Sequence, residues 1–313
     1  MNVLLTSISG KVPLIKRVKK ALTRINSNGL LFGGDSNQDI IGKYFVDQFW
    51  KMPKLKELDI KLFVDFCQSN KITRIIPTRN DDLVFLGQYQ SYLLECDIHL
   101  LLSNYLPLQN VLDKLVFYEH GIKMGYPLIH TSNNIDQINT EKYVIKDRYG
   151  SGSQNIAINV AKDKAISHAR KIKKPIFQPF IDGEEYSIDV YVDRSGKSKG
   201  SIVRKRDLVI NGESQVTTTV QKKELECLAQ KMAEDFQLYG HVMFQVIIDQ
   251  KGHFHIIECN PRFGGASTLS VDAGLDSFYW FFLECEGENL LNYPFNRNEK
   301  ELKLIRHSED LII

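Results

Sequence analysis

The chain has 313 residues, 43% hydrophobic and 25% charged, with 40 Lys and Arg set against 38 Asp and Glu for a net charge of +2. That balance, without any dense basic block, excludes an electrostatic nucleic-acid surface, and Arg204-Lys205-Arg206 is too short to act as a basic arm. No apolar run approaches the about 20 residues that span a bilayer, so no membrane partner is expected either.

The length suits about two or three compact units. Met1-Asn2-Val3-Leu4-Leu5-Thr6 enters a strand directly, without the charged and apolar regions of a signal peptide. Cys67, Cys96, Cys227, Cys259 and Cys285 are odd in number and lack CxxC spacing, which reads as reduced thiols. A cytoplasmic location is the expectation.

In chain order, Val3 to Ser7 reads as a strand and Val12 to Leu22 as a helix with Leu14, Ile15, Val18 and Leu22 on one face. A strand at Leu30 to Phe32 runs into Gly33-Gly34-Asp35, a helix covers Phe63 to Ser69, and a strand covers Arg74 to Pro77. Such alternation predicts an open parallel α/β domain. It lacks the full GxGxxG fingerprint, so no NAD site is expected. Asn104 and Pro107 mark a connection, and Leu108 to Met124 reads as one helix with Val111, Leu112, Leu115 and Val116 on its apolar side. Strands follow at Tyr143 to Lys146, Asn155 to Val160 and Pro175 to Phe180, with a helix from Asp163 to Ile172. The remainder reads as strands Tyr186 to Asp193 and Gly200 to Arg206, a helix Lys222 to Leu238, a hairpin, and a closing helix around Leu275 to Leu283. No internal repeat is evident.

The hairpin carries the chemistry. Its first strand, His241 to Asp249, contains Gln245, and the turn Gln250-Lys251-Gly252 folds back onto Ile256-Ile257-Glu258-Cys259-Asn260-Pro261-Arg262. Gln245, Glu258 and Asn260 then present three oxygens, which suit a hard cation such as Mg2+ completed by phosphate and water. His241, His253 and His255 lack a matching cysteine or histidine set and read as packing or surface residues. Lys146 ends a strand and precedes a glycine-containing loop, Gly150-Ser151-Gly152-Ser153, whose backbone N–H groups can approach an anion.

In spacing this constellation resembles the ATP-grasp superfamily, specifically its carbamoyl-phosphate-synthetase-like branch. The resemblance implies an N-terminal open parallel α/β domain (1–104), a small subdomain with the phosphate lid (105–180) and a large subdomain with the metal site (181–313). It implies that Lys114 and Lys146 contact phosphate, that Gly150, Ser151, Gly152 and Ser153 form the lid, and that Phe177-Gln178-Pro179-Phe180-Ile181 is an adenine hinge. Because Pro179 has no N–H, the expected adenine contacts are the Gln178 carbonyl and the Phe180 amide, with Glu185 accepting ribose hydroxyls. Arg204 and Arg206, on one face of a strand with Lys205 on the other, resemble arginines that face the transferred phosphate, and Arg262 is the third such cation. Phe263-Gly264-Gly265-Ala266-Ser267 resembles a substrate-side turn, and Asp35, Arg79, Asp81 and Asp82 are candidates for the substrate cleft of the first domain.

The implied activity is an ATP-dependent carboxylate-amine ligase using one or two Mg2+ ions, with Mn2+ as a substitute. It would pass through an acyl phosphate, take a small carboxylic acid and an amine or amino acid, and allow a homodimer. The alternatives are an enzyme releasing a carbamoyl or acyl phosphate, and a non-catalytic ATP-binding module.

Overall fold

The computed structural model describes residues 1–150, 152 and 155–313; Ser151 and Ser153, both assigned to the lid, lie outside the described residues. β1 (Asn2–Thr6) runs into α1 (Val12–Ile25), whose Leu14, Ile15, Val18, Ala21 and Leu22 recur at helical spacing and are all buried. Pro13 sits in the first turn of α1, where its missing N–H leaves no bond unmade. Then come β2 (Leu31–Asp35), β3 (Gln48–Lys51), α2 (Ile60–Ser69), β4 (Ile72–Ile76), α3 (Asn80–Gln88), α4 (Gln90–Glu95) and β5 (His99–Leu100). The five strands form a parallel sheet in the order β3-β2-β1-β4-β5. Chain order reverses between β1 and β4, so the loops leaving these two strands diverge and open a crevice at their carboxyl ends.

The single helix expected over Leu108 to Met124 is two helices, α5 (Tyr105–Leu112) and α6 (Lys114–Lys123). Asp113 breaks them: its backbone is extended, and its carboxylate accepts the N–H groups of Leu115 at 3.1 Å and Val116 at 3.2 Å as a helix cap. The apolar stripe reads straight through this residue, which hid the cap.

A small antiparallel sheet follows, in the order β7-β6-β8, from β6 (Tyr143–Asp147), β7 (Ala157–Val160), α7 (Lys162–Ala169) and β8 (Pro175–Pro179). The last unit comprises β9 (Gly183–Val192), β10 (Ser198–Ile210), β11 (Glu213–Val220), α8 (Lys223–Asp235), β12 (Gly240–Asp249), β13 (Phe254–Asn260), α9 (Ser267–Asp272), α10 (Ser277–Cys285) and β14 (Lys303–Ile305). Its sheet is antiparallel in the order β13-β12-β9-β10-β11-β14. β11 escaped sequence reading because its buried side is built from Ser214, Thr217 and Thr219, β-branched or small but polar.

One apolar core runs between the first sheet and the last. Leu14, Ile15 and Val18 of α1 share it with Phe278, Phe281 and Phe282 of α10 and with Tyr191 and Ile202 of the six-stranded sheet. A second core fills the space between α8 and the same sheet, through Leu225, Ala229 and Met232. The two cores hold the crevice of the first sheet against the end of the β12–β13 hairpin. No helix is long and apolar enough to cross a membrane among the described residues.

Candidate active site

The β12–β13 register sets Gln245 opposite Glu258, and the two-residue period of a strand returns Asn260 to the same face. The Asn260 amide nitrogen donates to Glu258 Oε1 at 2.9 Å, and the Asn260 oxygen has no hydrogen-bond partner among the described residues. With its nitrogen toward Glu258, the Gln245 amide donates to Oε1 at 2.7 Å while its oxygen accepts from Arg206 at 3.2 Å. Turned by 180°, the same amide sets its oxygen beside the carboxylate, the orientation a shared cation calls for.

Lys114 and Lys146 reach this cluster from the other side of the cleft, each with Nζ 3.9 Å from Glu258 Oε2. Burial would raise the Glu258 carboxyl, but the two ammonium groups, Asn260 and Arg262 outweigh it and hold the group below its ordinary value. Burial pushes Lys146 down to about 8, with Glu258 opposing the fall and Lys114 adding to it.

The donor set is one carboxylate and two neutral amides, hemmed in by two lysines. Among the described residues, no group of three or more His, Cys, Asp or Glu side chains could hold a metal. Such a site fits a hard cation only when phosphate oxygens supply the remaining negative charge. Mg2+ alone is therefore expected to give no binding heat at concentrations up to about 10 mM, and to bind once ADP or ATP is present. Calorimetry with and without nucleotide measures this; tight binding of the bare ion would refute the donor set. The three histidines take no part: His241 is buried against Asp189 and Ser277, and His253 and His255 face Asp249.

Asp113 places Lys114 beside Gly150. Its carboxylate accepts Arg148 Nε and Nη2 at 2.7 Å each and the Tyr149 hydroxyl at 2.7 Å, while Lys114 Nζ donates to the Gly150 carbonyl at 2.5 Å. One residue thus caps α6 and holds Arg148 and Tyr149 against it. Gly150 and Gly152 line the cleft.

The hinge differs from expectation at Phe180. Its N–H donates to the Lys142 carbonyl at 2.8 Å and is not free for a base, because β8 is paired with β6 on that side. Gln178 faces the same way, in register with Val144, and its side chain donates to Thr131 at 2.8 Å. The alternate residues point outward instead: the Pro179 carbonyl and the Ile181 N–H have no hydrogen-bond partner among the described residues. Pro179 and Ile181 line the cleft with Ile129, Val144 and Ile257.

The three predicted arginines part company. Arg204 and Arg206 share a face, as alternation requires, but Arg204 is 1% exposed and its Nε is bound to Asp189 at 2.7 Å and Ser270 at 3.1 Å. Its Nε is thus anchored in the core, while the residue also lines the cleft. Arg206 pairs with Glu185 and donates to Ser214 Oγ at 2.9 Å and the Gly212 carbonyl at 2.7 Å. Glu185, expected to meet ribose, is therefore already held by a cation. Arg262 Nε donates to Asn80 at 2.6 Å, at the start of α3, and ties the hairpin to the first sheet's crevice.

Sequence reading missed Lys11, which sits in that crevice. Its ammonium donates to the Thr78 carbonyl at 3.0 Å and to the Thr78 hydroxyl. Burial pushes it down to about 7, with Arg262 acting the same way and Asp82 opposing. Asp82 in turn accepts Thr6 at 2.7 Å and Ser7 at 2.9 Å, and Ser7 is held at φ 52, in the left-handed region. The signal was available in the loop Ser7-Ile8-Ser9-Gly10-Lys11 leaving the first strand.

Lys114, Lys146, Gln245, Glu258, Asn260 and Arg262 line a cleft of about 940 Å³ between the small sheet and the six-stranded sheet, within the size range of nucleotide-sized pockets. Two antiparallel sheets closing on a cleft, behind a parallel α/β sheet, are the arrangement of the ATP-grasp fold. Residues 171–306 match a family model described as ATP-grasp in the biosynthetic pathway with Ter operon. Compared by sequence with curated proteins, the chain matches none. Among solved structures it is similar to the biotin carboxylase domain dimer of Hydrogenobacter thermophilus 2-oxoglutarate carboxylase, in complex with MgADP, ADP and bicarbonate. That match has a TM-score of 0.77 at 17% identity and covers 96% of this chain and 73% of that one. It is also similar to N5-carboxyaminoimidazole synthetase from Staphylococcus aureus complexed with ADP, with a TM-score of 0.73 at 15% identity over 92% of this chain and 78% of that one. Biotin carboxylase from Campylobacter jejuni matches with a TM-score of 0.72 at 16% identity, over 92% and 71%. At these identities the likeness is one of fold.

Proposed function

We propose that the protein is an ATP- and Mg2+-dependent ligase that activates a carboxylate as an acyl phosphate and passes the acyl group to an amine, releasing ADP and phosphate. The observation that carries this reading is the meeting of Glu258, Asn260 and Gln245 with Lys114 and Lys146 at one end of the cleft. When bound there, Mg2+ neutralises phosphate charge as the terminal phosphoryl group leaves.

The chain's own residues do the rest. The Pro179 carbonyl and the Ile181 N–H read the adenine edge, and Ile129, Val144 and Ile257 cover its faces. Glu185, oriented by Arg206, accepts ribose hydroxyls on its remaining lone pairs. Lys114 and Lys146 grip the phosphates, with Gly150 and Gly152 beside them in the cleft lining. Arg262 lies between phosphate and acid and offsets charge on both. No covalent nucleophile is needed, since positioning and electrostatics supply the rate. The donor set with glutamine, glutamate and asparagine supports the carbamoyl-phosphate-synthetase-like branch. A homodimer is proposed by analogy with the H. thermophilus domain.

Lys11 gives this reading a pH signature. An anionic acid in the crevice raises the Lys11 pKa above its free value of about 7, so binding is strongest below 7 and weakens as pH rises through it. The KM for the acid should rise by about tenfold from pH 6 to pH 9, and Lys11→Arg should flatten that rise. A flat wild-type profile would exclude Lys11 from the acid site.

The test is ADP release with Mg·ATP across pools of carboxylic acids and amino acids, bicarbonate included, with hydroxylamine to trap the acyl phosphate. Acid-dependent ADP with a hydroxamate supports the ligase. AMP as the nucleotide product overturns it, and ATP binding without turnover in any pool favours the non-catalytic module.

A further inference from the structure

Arg306 enters the cleft from the C-terminal strand. β14 pairs with β11 through Val216 and Ile305, Thr217 and Leu304, and Thr218 and Lys303. The pairing extends one residue further, where the Arg306 N–H donates to the Gln215 carbonyl at 2.9 Å. The side chain is then fixed by Nε, which donates to the Ser214 carbonyl at 3.0 Å. Ser214 is the residue whose hydroxyl orients Arg206.

The two terminal nitrogens are left for other work. Nη1 lies 3.5 Å from Glu213, whose side chain is 60% exposed, so that pair is solvent-screened and weak. Nη2 makes no hydrogen bond among the described residues and lies against Gly265, where a Cβ would come within 2.7 Å of it. Any side chain at 265 would therefore displace the guanidinium. The turn itself is pinned by the Gly264 N–H donating to Ser267 Oγ at 2.8 Å. A fixed guanidinium over a bare turn, at the end of the cleft that also holds Arg262, is a receptor for a planar oxyanion.

We propose that Arg306 binds a carboxylate of the acid over the Gly264-Gly265 turn, so that the C-terminal strand completes the acid subsite. The identity of the anion rests on the ligase reading; a nucleotide phosphate is the other source of the same chemistry, and the experiment separates them.

Calorimetry on the Mg·ADP-loaded protein with acetate, succinate and inorganic phosphate, comparing wild type with Arg306→Gln and Arg306→Lys, tests the subsite without turnover. Carboxylate affinity should fall by about tenfold in Arg306→Gln and recover in part in Arg306→Lys, with Mg·ADP affinity changed by less than about twofold. In turnover, the KM for the acid should rise by about tenfold while that for ATP stays put. Unchanged carboxylate binding in Arg306→Gln, or no carboxylate binding by the wild type, overturns the proposal. An ATP KM rising in step with the acid KM also overturns it and assigns Arg306 to the nucleotide. Carboxylate binding that depends on Arg306 without acid-dependent ADP keeps the subsite and sinks the ligase reading.

Discussion

Glu258→Gln is expected to lower kcat on the order of a thousandfold while the fold survives. Glu258 is the one carboxylate of the donor set, and it stands 3.9 Å from both Lys114 and Lys146. A glutamine of the same shape can still accept the Asn260 amide, so the hairpin keeps its internal bond. What disappears is the negative charge. The cation then rests on three neutral amides, and the two ammonium groups lose the nearer of their counter-charges with only Glu185 left to oppose, which drives Lys146 further below its already depressed value. Steady-state ADP release and thermal unfolding of the variant, run side by side, check this. A variant retaining more than about a tenth of wild-type kcat would remove Glu258 from the machinery.

Asp189→Ala is expected to carry the largest stability loss, about 3–5 kcal/mol. Asp189 is 0% exposed and accepts Arg204 Nε at 2.7 Å, His241 Nε2 at 3.0 Å, and the Ser267 and Ser270 hydroxyls at 2.6 Å each. Removing it strands the fully buried Arg204 charge in the core. Burial alone would raise the Asp189 carboxyl, but Arg204 and His241 outweigh it and hold the group far below the carboxylate range. A depressed folded-state pKa means that its stabilisation is present above the unfolded value, about 3.9, and is lost as pH falls below it. Denaturant unfolding at neutral pH should show the loss in the variant, and the wild type should lose the same contribution on acidification. Because Ser267 also holds Gly264, activity should fall with stability even below the unfolding temperature. A loss under about 1 kcal/mol would mean that the network is dispensable.

What the sequence discloses and what it hides follow from range. The βα alternation, the apolar face of α1 and the Gln245–Glu258–Asn260 pairing are local: each is set by periodicity or by one turn, and each can be read from neighbouring residues. Asp113 is also local, but its cap lies inside an apolar stripe that reads as one helix. Arg204 shows a different limit. Strand alternation correctly puts it beside Arg206, yet only the fold reveals that Asp189, 15 residues away, and Ser270, 66 away, anchor its Nε. Phe180 fails for a similar reason, since its amide is taken by Lys142 across a sheet whose register no single strand discloses. Lys11 and Arg306 come from opposite ends of the chain, and neither sits in a motif that names its target. The sheet order brings Lys11 to the crevice, and an edge strand brings Arg306 to the cleft.

The central claim is that a carboxylate attacks the terminal phosphate of ATP in this cleft. The direct test labels the carboxylate oxygens of the acid found in the screen with a heavy isotope and follows the label by mass spectrometry of the released inorganic phosphate. Transfer of one labelled oxygen into phosphate, with ADP as the nucleotide product, is the result this mechanism predicts. Label appearing in AMP, or phosphate released without label while the acid is consumed, would contradict it.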